Sequence, residues 1–399
     1  MENNKSHGKI IILTFVVALV VVMGLVFGLN WNAWFGGNAG LGQAQTGERS
    51  LVIDDEEQVY NAKYIIDGID VKLSGGEYVS EKDNEVMFLV VNGGSITIDG
   101  STLTKSGEDV YAETVENGFY GKNSMIVLVG ENSRADIKNA NFDIKSNGTS
   151  AVFAVEGANA TVEDSNVTAS GSYSAGFTAG DSSEITVNNT EINLGDDSEE
   201  ASMMSDRAYV AFLPSAKITV NGGVVNNYTY YLAASIYDEG DITVNNAKFY
   251  SSNSPFAVLS GNGKLTLNGG EYTSNYPFGR RFDLKSVYGG HYDNSWVISS
   301  AVIFAGGEPT FVSNDATLTQ KSYSTLSDLG EARLMKAFFT ASGAKPTVKL
   351  NNTTVNIGTN TVKLAGAVSG STLTIDASGL NAEASREYEA DETSSVTGL

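Results

Sequence analysis

One eight-residue phrase recurs along this chain and constrains its fold more than any other feature. An apolar residue, any residue and a second apolar residue are followed by Asn, Asp, Gly or Ser. A further apolar residue then stands seven positions after the first. Clear copies lie at 185–192 (ITVNNTEI), 218–225 (ITVNGGVV) and 265–272 (LTLNGGEY). Taking the first apolar residue as the anchor, the copies begin at Val71, Ile96, Ala135, Ala160, Ile185, Ile218, Ile242, Leu265, Lys285, Phe311, Val348 and Leu373. Most intervals are 23–26 residues, the period of a solenoid or an array. Lys285 is a charged anchor, and Ser313 stands where Phe311 should have an apolar second neighbour.

Within the phrase, apolar and polar residues alternate as in a half-buried strand. The Asn-Asn, Asn-Gly, Asp-Gly or Gly-Gly step that follows tolerates the left-handed backbone of a sharp corner. Seven is an odd spacing, so a straight strand would put the two ends of the phrase on opposite faces. A corner resets the phase and turns both inward. Further apolar runs precede many anchors, at 86–91 (VMFLVV), 125–129 (MIVLV), 151–155 (AVFAV), 210–213 (VAFL) and 256–259 (FAVL). Each coil therefore carries three short strands and three turns. Such strands bury their apolar side only by stacking on their equivalents. The expected fold is all-β, a parallel β-helix solenoid of about twelve rungs over residues 50–380. Residues 50–68 cap the first rung, and the acidic residues 381–399 form a flexible tail.

Three segments break the period: 105–123, 195–207 and 325–339, the last with a helix-favouring composition. Insertions leave a solenoid as loops, and loops carry function more often than rungs do.

Composition excludes several classes. With 25 Lys and Arg against 47 Asp and Glu, the net charge is −22, which repels nucleic-acid phosphates. There is no cysteine, hence no disulfide, thiolate metal site or Cys nucleophile. Residues 10–29 are almost wholly apolar and long enough to span a bilayer as one helix. Lys5 and Lys9 before this segment place residues 1–9 in the cytoplasm and the rest of the chain outside. Trp31, Trp34 and Phe35 suit the interface, and residues 30–49 read as a linker. The alternative is a secretory signal cleaved near 42–44 (GQA). Both readings export the repeat region, either membrane-anchored at the cell surface or secreted.

The rung length and the Asn/Gly corners resemble the right-handed parallel β-helix, the pectate-lyase-like fold, and in texture the adhesin-like surface proteins of that type. The resemblance implies either polysaccharide lyase or hydrolase chemistry, or binding without catalysis. Lyases of the family use Ca²⁺ held by carboxylates with an Arg or Lys base. The matching constellation here is Arg280, Arg281, Asp283, Lys285, His291 and Asp293. Its bland reading is a set of solvated outward side chains. Asp196, Asp197, Glu199 and Glu200 offer oxygen ligands for Ca²⁺, but their spacing matches no defined loop and also suits a solvated acidic loop. Tyr228, Tyr230, Tyr250, Tyr276 and Tyr288 crowd the middle third, where exposed rings would stack on sugars. The leading expectation is a membrane-tethered β-helix that binds glycan or cell-surface ligands without catalysis and with no cofactor. A polysaccharide lyase and a self-associating structural subunit are the alternatives.

Overall fold

The computed structural model describes residues 41–53, 55–106, 120–171, 174–195, 207–211, 216–228, 232–236, 239–276, 296–325, 332–358, 362–382 and 387–399. The expected membrane segment 10–29 and its flanks lie outside these residues. Among the described residues no helix is long and apolar enough to cross a membrane.

The fold is all-β, built from three long sheets through which the chain winds coil by coil, as in a β-solenoid. Sheet A has fourteen strands, sheet B twelve and sheet C eleven. The second coil shows the order: Glu85–Val91 in sheet A, Ser95–Asp99 in sheet B and Thr102–Lys105 in sheet C. Among the described strands every pairing is parallel except the opening hairpin, where Gln45–Ile53 runs antiparallel to Glu56–Asp67.

The anchors stack as the periodicity predicts. Val71, Ile96, Ala135, Ala160, Ile185, Ile218, Ile242, Leu265, Phe311 and Val348 pair residue on residue up sheet B. The partner column in sheet C runs from Tyr78 through Leu103, Phe142, Val167, Ile192, Val225, Phe249, Tyr272 and Leu318 to Val355. Both columns are buried in one continuous core. Each Val, Leu, Ile or Phe side chain in these columns contributes about 1.5–3 kcal/mol through burial, which three- to five-residue strands cannot supply in isolation.

The corner between sheets B and C explains the invariant part of the phrase. It is two residues long from 75–76 through 315–316. The first residue has positive φ: Asn139 (51°), Asp164 (48°), Asn189 (45°), Gly222 (67°), Asn246 (54°), Gly269 (67°) and Asp315 (54°). Asn, Asp and Gly are the residues that accept this geometry at least cost. The second is small, as Ala140, Ser165, Gly223, Ala247, Gly270 and Ala316 show, because the preceding coil lies close beneath it. A Cβ on Gly223 would come within 2.3 Å of the Thr190 carbonyl oxygen.

At the ends of the sheet B strands from Glu184–Asn188 to Thr347–Asn351 a ladder of side-chain amides runs along the surface. Asn221 donates to Asn188 (2.8 Å), Asn245 to Asn221 (2.7 Å) and Asn268 to Asn245 (2.8 Å). Asn314 then donates to Asn268 and Asn351 to Asn314, both at 2.7 Å.

Sheet A differs in being buried on both faces. Along Glu85–Val91, Phe88 and Val90 enter the central core, whereas Val86, Leu89 and Val91 join an outer cluster with Ile53, Tyr60, Val127 and Phe153. A second outer cluster gathers Val258, Trp296, Ile298, Ile303 and Met335. Cover for the first comes from the opening hairpin and from the returning end of the first insertion. Tyr60 donates through its hydroxyl to the Tyr120 carbonyl (2.6 Å), and Gly121 lies so close to Phe153 that a Cβ would sit 2.5 Å from the ring.

Several expectations are corrected. The expected anchor Lys285 lies outside the described residues, and the anchor column in sheet B runs directly from Leu265 to Phe311. Leu373 is out of step by two residues: Ile375 lies over Val348, and Leu373 pairs with Val396. Leu380 likewise pairs with Thr353. The sheets extend past residue 380, because Tyr388–Ala390 and Ser395–Thr397 add a strand each to sheets A and B. At the other end Gln45–Ile53 turns the last part of the supposed linker into an edge strand. The supposed helical insertion instead holds the twelve-residue strand Arg333–Ala344, which pairs with both Val302–Gly307 and Lys363–Val368.

Candidate functional site

The corners are unequal, and this singles out one side of the molecule. Between sheets A and B, and between B and C, the connections stay at five residues or fewer throughout. The long excursions all leave from the corner between sheets C and A. They follow Lys105, Leu194, Ser274 and Gln320 and rejoin at Ile126, Arg207, Trp296 and Arg333. The third excursion, at 275–295, is the segment whose sequence imitates a rung.

Most of the charged candidates belong to these excursions. Arg280, Arg281, Asp283, Lys285, His291 and Asp293 lie outside the described residues, as do Asp196, Asp197, Glu199, Glu200, Tyr230 and Tyr288. Their roots are nonetheless placed. The strands Glu191–Leu194 and Glu271–Ser274 lie in one sheet, with Val224–Asn227 and Lys248–Ser251 between them. At about 4.8 Å per strand the two roots are roughly 14 Å apart on the same corner.

Between those roots the described surface carries an aromatic pair. Tyr250 projects from the outer face of sheet C, in a column with Asn226 below and Thr273 above. Tyr228 follows the strand Val224–Asn227 at the corner itself. Their ring centroids are 6.2 Å apart at 63°, an edge-to-face arrangement. Lys321 brings its ammonium to 5.5 Å from the centre of the Tyr250 ring. Asn253 Nδ2 donates to the Tyr228 carbonyl at 3.2 Å, fixing the backbone there. Asn226 donates to Asn193 at 2.9 Å, so carboxamides continue the patch along the column. Both tyrosines are half-buried.

Tyr276, grouped with these by sequence, is fully buried. It follows the strand Glu271–Ser274, and it presents no face to a ligand. Lys321 was missed by residue-type reasoning. It stands ten positions after its anchor Phe311, as Tyr228 does after Ile218, so the repeat register contained the signal. Backbone bonds confirm this equivalence, with Tyr228 N bound to Leu194 O and Lys321 N to Ser274 O.

The patch joins two rings, an ammonium and amide groups, which suits stacking on a sugar with polar contacts at its rim. Among the described residues no group of three or more His, Cys, Asp or Glu side chains is placed to hold a metal ion. No protein-family model matches the chain, and no curated protein and no solved structure matches it.

Proposed function

We propose that this is an exported surface protein that binds glycan without transforming it, on the side of the solenoid where sheets C and A meet. In this reading the solenoid is a right-handed β-helix of the pectate-lyase-like type, held at the membrane by residues 10–29. The observation that carries the reading is the Tyr228–Tyr250 pair with Lys321, set between the roots of two long excursions. Elsewhere among the described residues the sheet C and sheet B surfaces present repeated Thr, Asn and exposed ion pairs, such as Lys217–Glu184 at 2.9 Å, which offer no stacking surface. The net charge of −22 disfavours long polyanions, so the expected ligand is a neutral or sparsely acidic polysaccharide, with Lys321 meeting an isolated carboxylate.

The test is binding of the detergent-solubilised full chain to a panel of neutral and acidic polysaccharides, with products followed by size analysis. Retention of at least one polysaccharide at unchanged size is expected. Tyr250→Ala should weaken it about tenfold, equivalent to about 1.4 kcal/mol for one stacked ring. Equal binding by Tyr228→Ala, Tyr250→Ala and wild type would remove the patch from the function. Unsaturated or shortened products would replace binding by lyase or hydrolase action.

A further inference from the structure

Lys105 is a charged side chain in a buried column at the end of the sheet C strands, where the other coils place small polar residues such as Ser80 and Ser251 or apolar ones such as Ile144. It ends its sheet C strand beneath Ile144, with Ala169 and Leu194 continuing the column, and it is completely buried. Its ammonium donates to the Lys82 carbonyl. Burial lowers its pKa to about 8, against the opposing attraction of Glu85 and Asp83. A buried lysine in that range supplies free amine, a nucleophile, near neutral pH.

Three further buried polar side chains share this corner. Ser80, the residue paired with Lys105 on the preceding coil, donates to Glu85 Oε2 at 2.9 Å. Glu85 is itself only 5% exposed, and its Oε1 lies 3.3 Å from the Lys82 ammonium. Asn123 is 3% exposed. The bond from Met87 N to Ser124 O extends the parallel register of sheet A and sets Asn123 directly after Glu85, one coil on. Asn123 Nδ2 donates to Asn147 O (2.8 Å) and Thr149 Oγ1 (3.3 Å), while its Oδ1 is buried with no partner. A buried carboxamide oxygen left without a partner is destabilising.

Lys105 and Asn123 are also the two ends of the first insertion. They hold the positions that Ile144 and Thr149 hold on the next coil, on either side of an ordinary short corner. An amine, a carboxyl group and a carboxamide with an unpaired oxygen are thus gathered at the edge of an apolar core beside Met87 and Met125.

We infer that Lys105 Nζ and Asn123 Cγ become joined in a side-chain amide bond that closes the root of the first insertion, with Glu85 carrying the protons. The Glu85 carboxylate takes a proton from the Lys105 ammonium and passes it to Oδ1 as the neutral amine adds to Cγ. The carboxylate then takes a proton from Nζ and delivers it to Nδ2, and Oδ1 returns its own as the carbonyl reforms. One C–N bond forms, one C–N bond breaks and ammonia leaves; no oxidant, metal or cofactor enters. The product replaces a buried amine by a neutral amide.

Peptide mapping and intact mass of the purified full chain test this. The expected result is a mass lower than that of the sequence by one ammonia, with a branched peptide containing both Lys105 and Asn123. Lys105→Met and Asn123→Ala should each restore the full mass, and Glu85→Gln should restore it while the chain still melts cooperatively. Recovery of Lys105 and Asn123 in separate peptides from the wild-type chain would overturn the inference. So would ammonia loss traced to another residue. The wild-type digest decides the matter even if a variant does not fold.

Discussion

Two adjacent glycines at the corner between sheets B and C illustrate how differently neighbouring residues are constrained. Gly222 has φ 67°, and a Cβ there would meet nothing within 4 Å. Asn189 and Asn246 hold the equivalent place one coil to either side. Gly222→Asn should therefore leave the thermal midpoint nearly unchanged, within about 0.5 kcal/mol. Gly223 has φ 81°, and its Cβ would lie 2.3 Å from the Thr190 carbonyl oxygen. Gly223→Ala should cost about 2–3 kcal/mol in denaturant unfolding. Lys105 gives a residue-scale prediction of another kind. In the Asn123→Ala chain its amine stays free beside Glu85, Asp83 and Lys82, with a pKa of about 8 instead of 10.5. The unfolded chain then binds more protons than the folded one above pH 8, so stability should be lowest and flat below that point and rise towards pH 9.5. Denaturant titrations at stepped pH check the slope, which should vanish in the Lys105→Met, Asn123→Ala double variant.

At the scale of strands and corners, the amide ladder from Asn188 to Asn351 behaves as one element. Asn245 both donates to Asn221 and accepts from Asn268, whereas Asn351 makes a single ladder bond. Asn245→Ala should cost about 1–2 kcal/mol and Asn351→Ala about half as much, measured by denaturant unfolding. This element was legible in the sequence because its corner keeps a constant length, so that Val187-Asn188-Asn189 and Val220-Asn221-Gly222 align by counting. Sheet A was legible only as isolated apolar runs, because the corner feeding it varies in length. Lys285 passed as an anchor on spacing alone, although Leu265 pairs directly with Phe311. The strand Arg333–Ala344 hid behind Leu, Met, Lys and Ala, whose helix propensity is weaker than pairing on both edges. Tyr276 was placed on the surface because nothing in a residue type tells a ring on the outer column from one that is buried.

Over the whole molecule, the ends of the three sheets decide solubility. The final strands Leu380–Ala382, Tyr388–Ala390 and Ser395–Thr397 cover the edges of Thr353–Ile357, Lys363–Val368 and Thr372–Asp376. Removing residues 380–399 would bare those edges together with the buried Leu364 and Leu373. Exposed strand edges template pairing with other chains. The truncated protein should therefore associate in a concentration-dependent way in sedimentation velocity, while the full chain does not. The first coil is protected differently, by a hairpin that turns its antiparallel strand Gln45–Ile53 outward on sheet A. Between these ends, the confinement of every long excursion to one corner separates two kinds of change. A lineage can lengthen, shorten or exchange the outgrowths on that flank while the internal stacking proceeds unaltered beneath them, so new specificities can be grafted onto an old chassis without renegotiating how it folds.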